Sequence, residues 1–245
     1  MAGLMSLCVG SCVFAQGKAT QPRPGAATVS VPFVGCKSDG QAGPVDAPTG
    51  SRVPVRLEAR AAKELAYYSG VGLGVLGPRG WDCFGNYGSS GETLFVSPKP
   101  IEITNFFPAG FTGPVIEVSH SNGGTGSGAF EVAEVMARVF PDFAAFARNV
   151  AEGFGMPISF GPYPNDKLTY RSKTEVEYKT PAQTEGLGTR VALKKSTDPI
   201  EGVAILVGQP PSHLLFLSMR LPPDSRGLSS AIIRQIERDS PKVMH

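Results

Sequence analysis

The stretch VAILVGQPPSHLLFLSMRLPPDSRGLSSAIIRQIER (Val203–Arg238) decides the fold class. Val203–Val207 and Leu214–Met219 are strand-length apolar runs on either side of a Gly/Pro turn. Leu228, Ile232 and Ile236 then recur at helical spacing, which predicts a closing helix over Leu228–Arg238. Just upstream, Thr174–Tyr178 alternates Val176 and Tyr178 against Glu175 and Glu177, and Arg190–Leu193 reads as a further short strand. Strand after strand followed by a helix, rather than repeated βαβ units, argues for α+β: a mainly antiparallel sheet with two or three packed helices and a C-terminal helix.

Working toward the N-terminus, Phe130–Phe140 carries Phe130, Ala133, Met136, Ala137 and Phe140 on one side. Pro141 ends that helix, and Asp142 is placed to cap a second one over Phe143–Glu152. Val115–His120 and Glu92–Ser97 read as strands. Leu57–Ser69 reads as a helix on the stripe Leu57, Ala61, Leu65 and Tyr68. Thr28–Val34 alternates Val29, Val31 and Phe33, and Pro32 assigns that strand to a sheet edge. Turn chemistry fills Gly35–Gly50, and Gly153–Lys167 reads as a loop.

The first residues bear on compartment. Leu4–Ala15 is uncharged and apolar, and the first cation is Lys18. The run falls short of the roughly 20 apolar residues that span a bilayer, and it has the length of a secretory apolar region. Val13-Phe14-Ala15 is an acceptable cleavage site, although no Lys or Arg opens the chain. The expected organisation is a signal peptide over 1–15, a flexible linker over 16–27 and one globular α+β domain over 28–245. Two alternatives stand beside it: a lipoprotein acylated at Cys12, on the lipobox-like Val9-Gly10-Ser11-Cys12, and a buried N-terminal element.

Removal of the leader takes Cys8 and Cys12 with it and leaves Cys36 and Cys83 as an even pair, which in an exported chain favours a disulfide. There is no CxxC pair and no His near either cysteine in sequence, so zinc is disfavoured. Asp39, Asp46 and Asp142 do not have calcium-loop spacing. No metal and no cofactor are expected. The net charge is +2, without a basic stripe, which argues against nucleic acid as a partner. No segment of the mature chain has transmembrane length. The 30 glycines and 22 prolines among 245 residues indicate a loop-rich globular protein rather than a disordered one.

Two stretches invite a chemical reading. Ser119-His120-Ser121-Asn122 runs into the glycines Gly123, Gly124, Gly126 and Gly128 between a strand and a helix, and a helix N-terminus attracts anions. The dinucleotide fingerprint is matched in letters, but a second helix follows where the motif needs a strand, and no Lys makes a phosphate loop. His120 is either a half-buried histidine satisfied by loop backbone or a ligand-binding or catalytic group. Ser121 is its neighbour, yet adjacent strand residues point to opposite faces. The second stretch, Gly80-Trp81-Asp82-Cys83-Phe84-Gly85-Asn86-Tyr87, supplies either a stacking platform for a sugar or, with Trp81 and Phe84, an aromatic cover for the disulfide. No GxSxG elbow and no paired carboxylates recommend a hydrolase. The candidate ligand-binding residues are therefore His120, Ser121, Asn122 and Trp81, and no catalytic residue is assigned.

Val31–Gln41 (VPFVGCKSDGQ), Gly80–Gly85 (GWDCFG) and Arg220–Pro223 (RLPP) resemble a group of uncharacterised exported bacterial proteins. The resemblance implies export and no known activity. Val203–Arg238 also resembles, at fold level, the photosystem II extrinsic protein P-like fold, which is sheet-rich with a C-terminal helix after two strands. The Pro-rich N-terminal part and the cysteine pair depart from that fold. The functional expectation is a non-catalytic exported protein that binds a small ligand or an envelope protein. The alternative is a secreted hydrolase using His120 beside the glycine-rich loop.

Overall fold

The computed structural model describes residues 27–101, 110–208 and 213–240. The proposed leader, its cleavage site, Cys8 and Cys12 lie outside the described residues. In chain order the elements are β1 (Ala27–Gly35), β2 (Ser38–Gly40), β3 (Arg52–Leu57), α1 (Ala59–Glu64), β4 (Leu65–Ser69), β5 (Gly74–Pro78), β6 (Asp82–Gly88) and β7 (Gly91–Ser97). They continue with β8 (Val115–Ser121), α2 (Gly126–Val139), α3 (Ala144–Phe154), β9 (Lys167–Tyr170), β10 (Glu175–Thr180), β11 (Ile200–Val207), β12 (His213–Arg220) and α4 (Ser229–Asp239).

The strands form a four-stranded sheet ordered β3-β1-β4-β5 and an eight-stranded sheet ordered β2-β6-β7-β8-β12-β11-β10-β9. Only β1 with β4 and β2 with β6 run parallel among the paired strands. The α+β class with a C-terminal helix thus holds.

Strand alternation splits the large sheet into two buried faces. Ile116, Val118, Val203, Ile205, Leu215 and Leu217 face the small sheet and α4. Val115, Ala204, Leu206, Leu214 and Phe216 face α2 and α3. Because both faces are covered, β11 and β12 read as continuous apolar runs. Ile232 and Ile236 of α4 are buried, each contributing about 1.5–3 kcal/mol. Gln235 locks the helix to β5: its Oε1 accepts the Leu76 N–H at 2.8 Å, and its amide donates to Gly74 O at 3.3 Å. α3 stops at Gly155, whose φ of 62° is a left-handed cap that glycine adopts without cost.

A disulfide joins Cys36 to Cys83. Cys36 follows β1 where the chain leaves the small sheet, and Cys83 lies in β6, so the bridge ties the two sheets together.

Several local expectations are corrected. The expected helix over 57–69 is a one-and-a-half-turn α1 followed by strand β4; Leu65, Ala66 and Tyr68 are buried from a strand inserted between β1 and β5. β1 is not an edge strand, but β4 joins it only from Phe33, so Pro32 costs no ladder bond on that side. Asp142 does not cap α3: the cap position is Phe143, with no side-chain bond, and Asp142 instead faces Lys173 at 3.4 Å. Residues 190–193 are not a strand; Leu193 makes a single isolated bridge to Phe111.

Candidate functional site

On the α2 face of the large sheet a cavity of about 860 Å³ opens between β6, β7, β8, the N-terminal half of α2 and the segment 190–194. Its floor is set by register. Thr93 and Phe95 of β7 pair with Ser119 and Glu117 of β8, and Glu117 pairs in turn with Ser218 of β12. These side chains therefore share one face. Glu131 and Glu134 descend from α2, and Arg190, Ala192 and Lys194 close the far wall.

Glu117 is the chemical centre of the cavity. It is 1% exposed. Its Oε2 accepts the Ala192 N–H at 3.3 Å, while its Oε1, equally buried, has no hydrogen-bond partner among the described residues. Burial raises its carboxyl to about 7, against the opposing pull of the Ala192 N–H, Arg190 and Lys194. Such a group costs stability unless something donates to it.

The surrounding charges are already matched or turned away. Arg190 donates to Glu134 Oε2 at 2.6 Å and to the Glu131 carbonyl at 3.2 Å. Ser121 Oγ donates to Glu131 Oε2 at 2.8 Å. Lys194 Nζ reaches Val191 O at 3.4 Å.

The wall at 187–194 is held by long-range bonds. Asp166 accepts from Thr180 Oγ1 and from the Leu187 N–H, both at 2.7 Å, and burial raises its carboxyl against those two bonds. Phe111 N–H donates to Ala192 O, and Lys194 N–H donates to Phe111 O, both at 2.8 Å. Arg220, 1% exposed at the end of β12, donates to Phe111 O and Gly113 O at 3.1 Å and to Lys194 O. Beside Ser218, Tyr178 lies over Gly202 and meets Ser218 Oγ at 2.6 Å. A Cβ on Gly202 would sit 2.6 Å from the Tyr178 hydroxyl, so no larger residue fits there.

His120 belongs to the opposite face of β8, with Ile116 and Val118. Its Nδ1 lies 3.1 Å from Glu92 Oε1, and its Nε2 lies 3.1 Å from His213 Nδ1. Glu92 accepts only, so His120 donates from Nδ1, and in its neutral form Nε2 accepts from His213. Burial lowers the His213 pKa, His120 adds to that, and Glu92 opposes it. His120 is thus satisfied by two side chains, not by loop backbone as the sequence suggested.

Of the four sequence candidates, Ser121 lines the cavity from the same face of β8 as Glu117, and His120, with its ring on the other face, borders it at the end of the strand. Asn122 and Trp81 are not brought into it. Asn122 Oδ1 accepts the Gly124 N–H at 3.0 Å, shaping the glycine-rich turn. Trp81 packs on the core beside the small sheet, as does Cys83. Phe84 points to the other face of β6 from Cys83 and does not cover the disulfide. Glu117 and Arg190 were not singled out from sequence. The available signal was a carboxylate inside Val115-Ile116-Glu117-Val118, a strand apolar on both faces.

Among the described residues, no group of three His, Cys, Asp or Glu is placed to hold a metal ion. No helix there is long and apolar enough to cross a membrane. Comparison with family models, with curated proteins and with solved structures finds no match to the chain.

The Glu117 carboxyl sets a pH dependence. Its folded pKa of about 7 lies above its ordinary 4.5, so the native state holds the extra proton between those values. Stability therefore falls as pH rises through that window and stays flat above it, a loss of about 3 kcal/mol at the upper limit. Glu237, raised to about 7 by burial and by Glu175 and Glu177, tilts the curve the same way. Urea unfolding of Glu117→Gln against the unaltered protein isolates Glu117. The variant is expected to be more stable at pH 8 by up to about 3 kcal/mol and nearly equal at pH 4.

Proposed function

We propose that this is an exported, non-catalytic binding protein that takes a small ligand in the Glu117 cavity. The observation that carries the reading is Glu117, which lines an 860 Å³ cavity and whose buried Oε1 has no hydrogen-bond partner among the described residues. Small-ligand sites are concave, partly apolar and carry a few convergent polar groups. Phe95, Phe216 and Leu214 supply the apolar lining, and Glu117, Ser119 and Arg190 the polar groups. Export is supported by the disulfide, the apolar leader in the sequence and the resemblance of GCKSDGQ and GWDCFG to exported bacterial proteins.

The hydrolase alternative has less behind it. Both ring nitrogens of His120 are engaged, by Glu92 and His213. A general base needs a free nitrogen at the proton it takes. Ser121 bonds Glu131 on the far side of the strand.

A fragment library screened by ligand-observed NMR against the oxidised protein tests the binding reading. Bound fragments are expected to be released when the cavity is filled by Ser119→Trp or, independently, by Thr93→Trp, each checked for folding by circular dichroism. The reading fails if no fragment binds, or if folded, filled variants keep every hit. It fails also if the protein turns over an ester, peptide or glycoside and His120→Ala abolishes that turnover.

A further inference from the structure

We infer that the ligand of the Glu117 cavity is a protonated amine on an apolar body, its ammonium against Glu117 and its apolar part between Phe95 and Phe216. The inference rests on the binding reading above and concerns the chemistry of what is bound.

It follows from an inventory of charge. Four carboxylates border the cavity: Glu92, Glu117, Glu131 and Glu134. Glu134 is paired with Arg190 at 2.6 Å, and Glu92 with His120 at 3.1 Å. Glu131 and Glu117 have no cationic hydrogen-bond donor among the described residues; Arg190 and Lys194 act on Glu117 only through space. Glu131 accepts the Ser121 hydroxyl, and Glu117 accepts the Ala192 N–H at 3.3 Å, its Oε1 meeting no donor among the described residues. Lys194 is turned to the Val191 carbonyl and does not reach either carboxylate.

An anionic ligand would meet this excess of like charge away from water, which is costly. Above pH 7, where Glu117 is ionised, a neutral hydroxyl would satisfy one lone pair and leave the charge unbalanced. An ammonium supplies donors and the missing charge together, and charge-assisted bonds are about twice as strong as neutral ones. Phe95 and Phe216 offer apolar walls beside that point and favour a ligand with an aromatic or aliphatic body.

Three probes of one shape separate the possibilities: 2-phenylethylamine, 2-phenylethanol and 3-phenylpropanoate, titrated into the oxidised protein at pH 8 and followed by amide chemical shifts. The amine is expected to bind at least about tenfold more tightly than the alcohol, with the carboxylate weakest. Glu117→Gln should collapse the amine-to-alcohol ratio toward one, and Glu131→Gln should reduce it. Amine affinity should also fall about tenfold per pH unit below 7, where Glu117 must give up its proton to receive the ammonium. The groups facing Glu117 in that titration are Arg190 and Lys194 from the closing segment, Glu131 and Glu134 from α2, and Tyr178 and Ser218 across the sheet. If the alcohol or the carboxylate binds as well as the amine, or Glu117→Gln leaves the ratio intact, the amine inference is overturned while the binding reading stands. If no probe binds but library fragments do, the inference alone falls. If fragments are silent too, both fall.

Discussion

Arg220→Met is expected to destabilise the protein by about 3–5 kcal/mol, the cost of breaking a buried, fully hydrogen-bonded ionic group. The guanidinium lies at the end of β12 and serves up to four carbonyls: Phe111 and Gly113 before β8, and Lys194 and Asp198 before β11. Burial lowers its pKa, with Asp198 opposing, yet an arginine stays charged throughout the working range. Methionine fills much of the volume and offers no donor, so those carbonyls lose their partner inside the protein. Lysine should recover less than half of the loss, because its donors radiate from one nitrogen rather than from a planar fork. The damage should reach the cavity. Phe111 and Lys194 hold the strip that carries Ala192, the one donor to Glu117 among the described residues. Urea unfolding measures the stability, and a loss below about 1 kcal/mol would show that the carbonyls find water or other donors.

Removing the disulfide is expected to cost about 4 kcal/mol. The bridge closes a loop of 47 residues, and the chain-entropy relation gives that figure for such a loop. The effect should appear in Cys36→Ser/Cys83→Ser and, equally, in the reduced protein. The loop holds β2 to β5, so loss of the bridge frees the start of β6 and the short strand β2 that lies beside it. Non-reducing peptide mapping of the oxidised protein should find Cys36 joined to Cys83. Free thiols at both positions, or unchanged unfolding midpoints on reduction, would contradict the account.

Elements whose residues face one consistent environment were legible. β8, β11 and β12 read correctly because their apolar runs are buried on both faces. α4 read correctly because Leu228, Ile232 and Ile236 meet one apolar surface. The misread elements are those where tertiary pairing overrides local pattern. Leu57, Ala61, Leu65 and Tyr68 fit a helical stripe, yet Leu65 and Tyr68 are worth more as β4, where Tyr68 donates to Pro78 O at 2.6 Å. The sequence pattern assigns no strand to Gly80–Tyr87, yet β6 forms there: Gly85 pairs with Ser38, whose hydroxyl occupies the space a Cβ would need.

The site was legible only in part. His120 and Ser121 could be suspected from a His-Ser-Asn-Gly run at the end of a strand. Their partners could not. Glu92, His213 and Glu131 come from three other elements, and only strand register and the placement of α2 bring them near. Glu117 lies in a strand apolar on both faces, which hints at burial, but the sequence does not show that α2 and the segment 190–194 are what cover it. That cover depends on contacts of Arg190 and Arg220 with groups more than 20 residues away in sequence.

Everything proposed for the cavity depends on Glu117 being a buried carboxyl with one oxygen unmet. Carbon-detected NMR of the Glu117 side chain across a pH titration of the ligand-free, oxidised protein reads this directly. The account predicts a midpoint near 7, displaced upward from 4.5 by burial. A midpoint at or below 4.5 would mean that water or a cation already serves that oxygen, and would contradict the account.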